Sequence, residues 1–184
     1  MARFLHATLV GLVGAALVHV AIVLMLPHLS ANDVWRQIEA KTSLYQPARL
    51  DRNGNGPLIA AARSLDPMFA VTACRYDLTD GVFSITAPGN GDFWSISVLD
   101  DFGRILFSAN DRIVATDDLE LVVASPLQLR VLQQNPRADF ADAIKAEAGR
   151  SEGFVVVRTF RPDATWEPVA EEFLQNVECR ANPL

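Results

Sequence analysis

Residues Phe4 to Leu26, FLHATLVGLVGAALVHVAIVLML, constrain this chain more than any other stretch. The run carries no charge, and only His6, Thr8 and His19 are polar. At 1.5 Å per residue a helix of this length reaches roughly 35 Å, beyond the ~30 Å hydrocarbon core of a bilayer. A cleaved signal peptide has a shorter apolar core, roughly 7–15 residues, ahead of a small-x-small site. The best such site here, Leu29-Ser30-Ala31, opens with a bulky residue. Residues 1–29 therefore read as an uncleaved anchor in the lipid bilayer. Arg3 and the terminal amine favour a cytoplasmic N-terminus, against Arg36 and Lys41 close on the other side. The expected address is a single pass through the inner membrane, with the remaining chain in the periplasm.

The cysteines bear on that address. Cys74 and Cys179 are the only two in the chain. In an oxidising compartment they can bond, and closing a loop of about 105 residues stabilises a fold by up to ~4–5 kcal/mol in the chain-entropy model. In a reducing compartment the same pair would stay as buried thiols.

Within the run, Ala7, Gly11 and Ala15 recur at every fourth position, and His19 follows on the same face. Small residues at this spacing let a second membrane helix approach closely, and a mid-membrane histidine faces such a partner more readily than lipid. The expectation is a membrane protein partner. Ordinary enrichment of Gly and Ala in membrane helices explains the same pattern without one.

Beyond the run, 22 acidic residues face 15 basic ones once Arg3 is set aside from the total of 16. No basic tract is present, so nucleic acid is not an expected partner. All three histidines, His6, His19 and His28, lie in or beside the apolar run. The rest of the chain thus has no imidazole for a Ser-His-Asp triad, a zinc site or histidine base catalysis. Neither a phosphate-binding glycine loop nor a dinucleotide fingerprint occurs, so no cofactor or metal is expected.

Residues 30–65 read as a juxtamembrane helix and loop. SANDVWRQIEAKTSLY follows Pro27, with Ser30 or Asn32 as its cap and Val34, Trp35, Ile38 and Leu44 partly on one side. QPARLDRNGNGP is a loop by composition, and PLIAAARSLDP a short helix ending before Pro67. DRNGNG imitates the start of a calcium loop, but the twelfth position, where a bidentate Glu is required, is Ala62.

Residues 66–184 read as a β-rich periplasmic domain. VTACRYDL, GVFSIT, DFWSISVL, GRILFSA and LELVVA are short, branched or aromatic, and set between turn residues. In FWSISVL, Trp94, Ile96 and Val98 alternate with Ser95 and Ser97, which marks a strand with one buried face. SPLQLRVLQQNP predicts a short helix capped by Ser125 with Pro126 at its first position. ADAIKAEAGRSEGFVVVRTF predicts a hairpin. DATWEPVAEEFLQNVEC predicts an amphipathic helix with Trp166, Ala170, Phe173, Leu174 and Val177 inward, its end tied to the first strand by Cys179. The fold class is α+β: a membrane helix, then an antiparallel sheet or small sandwich flanked by short helices.

Two polar clusters flank one predicted hairpin. DDFG, Asp100 to Gly103, has the composition of a tight turn, and NDR lies at the far end, roughly 20 Å away for six residues of strand. That is too far for the ~5–10 Å spacing of a glycosidase carboxylate pair. Asn110, Asp111 and Arg112 remain candidates for ligand binding, since Asn and Asp hold turns and Arg forks onto carboxylates.

DPMFAVTACRYDLTDG, FWSISVLDDFGRILFSANDR and EGFVVVRTFRPD together resemble the bacterial domain of unknown function 1254 family, in its short membrane-anchored alphaproteobacterial form. The resemblance implies a β-rich domain that longer relatives fuse to a second domain. It also implies that the short form has a separate membrane neighbour carrying that second domain. It supplies no catalytic residues. Two readings follow: a non-enzymatic envelope protein that associates with a membrane partner, or a small-molecule-binding or enzymatic domain with a cleft near Asn110–Arg112.

Overall fold

A computed structural model of the chain describes residues 1–50, 65–89, 93–114 and 118–184. The DRNGNG loop and most of PLIAAARSLDP lie outside these residues. The chain divides into two compact units, Met1–Val34 and Trp35–Leu184.

Helix α1 spans Ala2–Lys41. Its segment Ala2–Leu26 has a mean hydropathy of 2.7 with none of it buried, and is long and apolar enough to cross a membrane. The helix passes through Pro27 instead of stopping and recapping at Ser30 or Asn32. A proline removes one backbone donor, which a long helix can absorb.

The second unit is a sandwich of two sheets. In one, strands β1 (Pro47–Leu50), β2 (Phe69–Asp77), β8 (Glu152–Phe160), β4 (Trp94–Asp100) and β5 (Ile105–Asn110) lie in that order, all antiparallel. In the other, β7 (Ile144–Glu147), β6 (Leu119–Ala124), β3 (Val82–Ala87) and β9 (Glu178–Asn182) follow in order. The β6–β7 pair is parallel, so this sheet is mixed. Parallel neighbours need a crossover, and helix α2 (Pro126–Gln134) lies in it. Ser125 and Gln128 cap α2 reciprocally, with Pro126 in the first turn, as the sequence predicts.

Inward side chains of both sheets form one core: Trp94, Ile96 and Val98 of β4, Phe83 and Ile85 of β3, Leu121 and Val123 of β6, Val155 and Val157 of β8. Each contributes about 1.5–3 kcal/mol by leaving water. Strand β4 alternates buried and half-buried residues, as FWSISVL predicts. The uninterrupted run Gly153–Val157 has a different cause. Its Val155 and Val157 enter the central core, while Phe154 and Val156 are covered on the outer face by Trp35 and Ile38 near the end of α1. Arg75 reinforces this second cluster, lying 5.2 Å over the Trp35 ring and donating to the carbonyls of Glu39 and Thr42.

Several expectations need correction. β7 and β8 are both strands but not a hairpin, since β7 pairs with β6 and β8 with β2 and β4. Pro47–Leu50, read as loop, is strand β1, paired along Val71–Cys74. The C-terminal helix α3 spans Glu167–Gln175 and buries Ala170, Phe173 and Leu174, whereas Trp166 stays exposed ahead of it. Val177 is buried beyond the helix end, and Cys179 belongs to β9. The Cys74–Cys179 disulfide therefore staples β2 to β9, one sheet to the other, with Cα atoms 6.5 Å apart.

Candidate functional site

Strands β4 and β5 form the expected hairpin, with a bulge between Val98 and Leu99. Its turn is built by Asp100. The fully buried carboxylate accepts from the backbone N–H of Phe102 and Arg104, each at 2.9 Å, and from Arg104 Nε at 2.8 Å. Gly103 supplies the left-handed φ of 75° and donates to the Asp100 carbonyl. Burial alone would raise the Asp100 pKa. The hydrogen bonds from Arg104 and Phe102 outweigh it and hold the carboxyl below its ordinary value. An ionised acceptor with its lone pairs this well occupied is a turn-former, not a proton donor.

The same turn carries surface chemistry. Phe102 is exposed, with the guanidiniums of Arg104 and Arg150 at 5.6 and 4.7 Å from its ring centroid. Arg150 is paired with Asp101. Exposed Ile105 and Leu106 continue the apolar surface along edge strand β5, and Ile113 is exposed beyond its far end. Behind the turn, Tyr76 is buried and donates to the Leu99 carbonyl at 3.1 Å. Burial, assisted by the charges of Asp100 and Asp101, pushes its phenol upward.

Asn110, Asp111 and Arg112 sit at the opposite end of the hairpin. Asn110 caps a 3-10 turn over Asp111–Ile113, its side chain accepting from the Arg112 backbone at 3.2 Å. Asp111 keeps one carboxylate oxygen buried without a hydrogen-bond partner among the described residues. Arg112 is exposed, and its guanidinium enters no ion pair among the described residues. The three share a turn, and the concavities described below are lined by other residues.

Of these concavities, one of about 270 Å³ lies beside the hairpin turn, bounded by Asp101, Arg150 and Glu152. A second, about 460 Å³, has an acidic rim of Asp118, Glu120 and Glu178. The third, about 500 Å³, lies between α2, the 3-10 turn Ala138–Phe140 and edge strand β7. Leu129, Leu132, Pro136 and Phe140 line it together with Arg137, Lys145 and Glu147. Sequence reading missed this cleft. Its signal was the alternation in IKAE, which puts Lys145 and Glu147 on one face of β7.

In the apolar segment of α1, Ala7, Gly11, Ala15 and His19 are all exposed, and a Cβ added at Gly11 would meet nothing within 4 Å. Among the described residues no cluster of His, Cys, Asp or Glu has the arrangement of a metal site.

No family model matches the chain, and no curated protein does. Among solved structures it is similar to the VPA0106 protein of Vibrio parahaemolyticus, with a TM-score of 0.56 and 11% identity. The likeness covers 84% of this chain but 38% of that one, so the chain spans well under half of its structural neighbour. It shows a shared fold. An uncharacterised protein from Burkholderia cenocepacia is similar over 66% of this chain and 31% of its own length, at 16% identity and a TM-score of 0.40. That second likeness is too loose to bear on the fold.

Proposed function

We propose that this chain is a single-span protein of the inner membrane, its disulfide-bonded domain periplasmic, that associates non-enzymatically with a second membrane protein. The observation that carries this reading is the apolar segment Ala2–Leu26, unburied throughout its length. So much exposed apolar surface requires lipid or another helix. The Cys74–Cys179 staple suits an oxidising compartment. The open face of Ala7, Gly11, Ala15 and His19 suits a partner span. Exposed Phe102, Ile105 and Leu106 offer the domain an apolar contact of its own.

The partner we favour carries the second domain implied by the resemblance to the domain of unknown function 1254 family. Supporting this, the Vibrio structure continues well beyond the region this chain matches. A ligand site around Asn110–Arg112 has less support, because Arg112 points from an exposed turn.

Two measurements test the reading. A periplasm-active phosphatase fused to the C-terminus should be active, and the mature N-terminus should precede Ala31; activity of a cytosol-only reporter, or a start near Ala31, refutes the topology. Crosslinking in intact cells followed by mass spectrometry should capture one membrane protein. The Gly11→Ile substitution, which fills the close-approach face, should reduce that crosslink at least about tenfold. An unchanged crosslink refutes packing through this face.

A further inference from the structure

We propose that the cleft between α2 and β7 binds a free apolar α-amino acid. This inference is independent of the membrane-partner reading and rests on the lining of the cleft alone. Its volume, about 500 Å³, falls within the range of about 300–1,000 Å³ occupied by small-molecule sites. The floor is apolar, with Leu132 and Phe140 buried there and Leu129 packed against them.

The charges are what point to a ligand class. Lysine side chains on a surface are ordinarily mobile, but this one is held. The Lys145 ammonium donates to the Phe140 carbonyl at 2.9 Å and to the Ala143 carbonyl at 3.3 Å. Those two acceptors are neutral and use two of its three donors, so one N–H and the full positive charge remain. Glu147 lies two residues along the same face of β7 and also lines the cleft. The two charges form no ion pair with each other or with any other described residue. Arg137, the remaining charged group of the lining, is neutralised by Asp139 at 2.6 Å and spread over the Phe140 ring at 4.8 Å.

One unpaired cation and one unpaired anion on one wall, above an apolar floor, sum to no net charge. A simple anion such as phosphate would answer Lys145 but meet Glu147. A zwitterion answers both, its carboxylate on Lys145 and its ammonium on Glu147. Its side chain then lies over Leu129, Leu132 and Phe140. A residue inside a peptide carries neither charge, and a chain end carries only one. The free amino acid is the species that fits.

The test uses the full chain in lipid nanodiscs, with empty nanodiscs as control, and L-phenylalanine as the probe, read by calorimetry or saturation-transfer NMR. Saturable binding below about 1 mM is expected. Phenylalaninamide, without the carboxylate, and 3-phenylpropionate, without the amine, should each bind at least about tenfold more weakly. Glycine, without the apolar side chain, should bind more weakly still. Lys145→Met should abolish binding. Because that change also releases two backbone carbonyls, Glu147→Gln serves as the second variant: the Glu147 side chain is exposed and its carboxylate bonds no described residue, so the fold should be unaffected while affinity falls. The proposal is overturned if phenylalanine fails to bind, if the amide or the desamino acid binds as well, or if Glu147→Gln leaves affinity within about twofold.

Discussion

Reducing the Cys74–Cys179 disulfide separates the cross-link from every other contribution to the fold, because reduced thiols keep nearly the same volume in the same core. The two residues are 105 apart in sequence. In the chain-entropy model a loop of that length restricts the unfolded chain by about 16 cal/mol/K, or about 4.8 kcal/mol at 25 °C. Both sulfurs sit in the core, Cys74 on β2 and Cys179 on β9, so the staple joins two sheets that share no backbone ladder. The assay is urea unfolding of the full chain in detergent, followed by tryptophan fluorescence with and without reductant. Trp35 and Trp94 are buried and report loss of the two clusters. With a denaturant slope near 2 kcal/mol/M, the midpoint should fall by about 2.4 M urea on reduction. The corresponding loss in Tm is roughly 10–20 °C for a unit of this size. Coincident midpoints for the oxidised and reduced chains would refute the argument, since they would mean that packing alone holds the sheets together.

Two further outcomes concern the β4–β5 hairpin. A Cβ placed on Gly153 falls 2.3 Å from both the Leu99 carbonyl and the Tyr76 hydroxyl, so Gly153→Ala should destabilise by about 2–3 kcal/mol, measured as a lower urea midpoint. The Asp100 carboxyl is held below its unfolded value, so its contribution is complete above about pH 4 and disappears as pH falls through the folded pKa. Asp100→Asn should therefore lower stability at pH 7 by about 1.5–3 kcal/mol and flatten the loss between pH 5 and pH 2; an unchanged acid limb would show that other carboxylates set it.

Local chemistry was legible in this sequence wherever neighbours in sequence decide it. Asp100 and Gly103 make their turn from bonds within five residues, and Ser125 caps α2 through Gln128 three residues on. The alternation of FWSISVL states how many faces of β4 are covered. The α+β class follows from such units, whereas the choice between a single antiparallel sheet and a sandwich does not. The Asn110–Arg112 cluster was legible as a turn for the same reason, since Asn110 bonds the backbone two residues ahead. What its side chains face depends on elements far off in sequence, which composition does not record.

Pairing is where periodicity falls silent. A side-chain pattern reports burial of each face, but backbone ladders use donors and acceptors that every residue except proline shares. GFVVV requires cover on both faces and therefore a central strand. IKAE, apolar only at alternate positions, is what an edge strand tolerates. Those two demands leave the pairing itself open, since β4 and the edge strand β5 meet similar ones and do form a hairpin. Here the central strand takes β2 and β4 as neighbours, while the edge strand joins the opposite sheet. The cleft above β7 follows from that separation. With β8 committed elsewhere, β7 pairs with β6 alone among the described strands, and the segment from α2 to Phe140 lines the cleft together with Lys145 and Glu147. Proximity in sequence made the hairpin attractive, and nothing in the side-chain pattern of either strand records which partner its backbone takes.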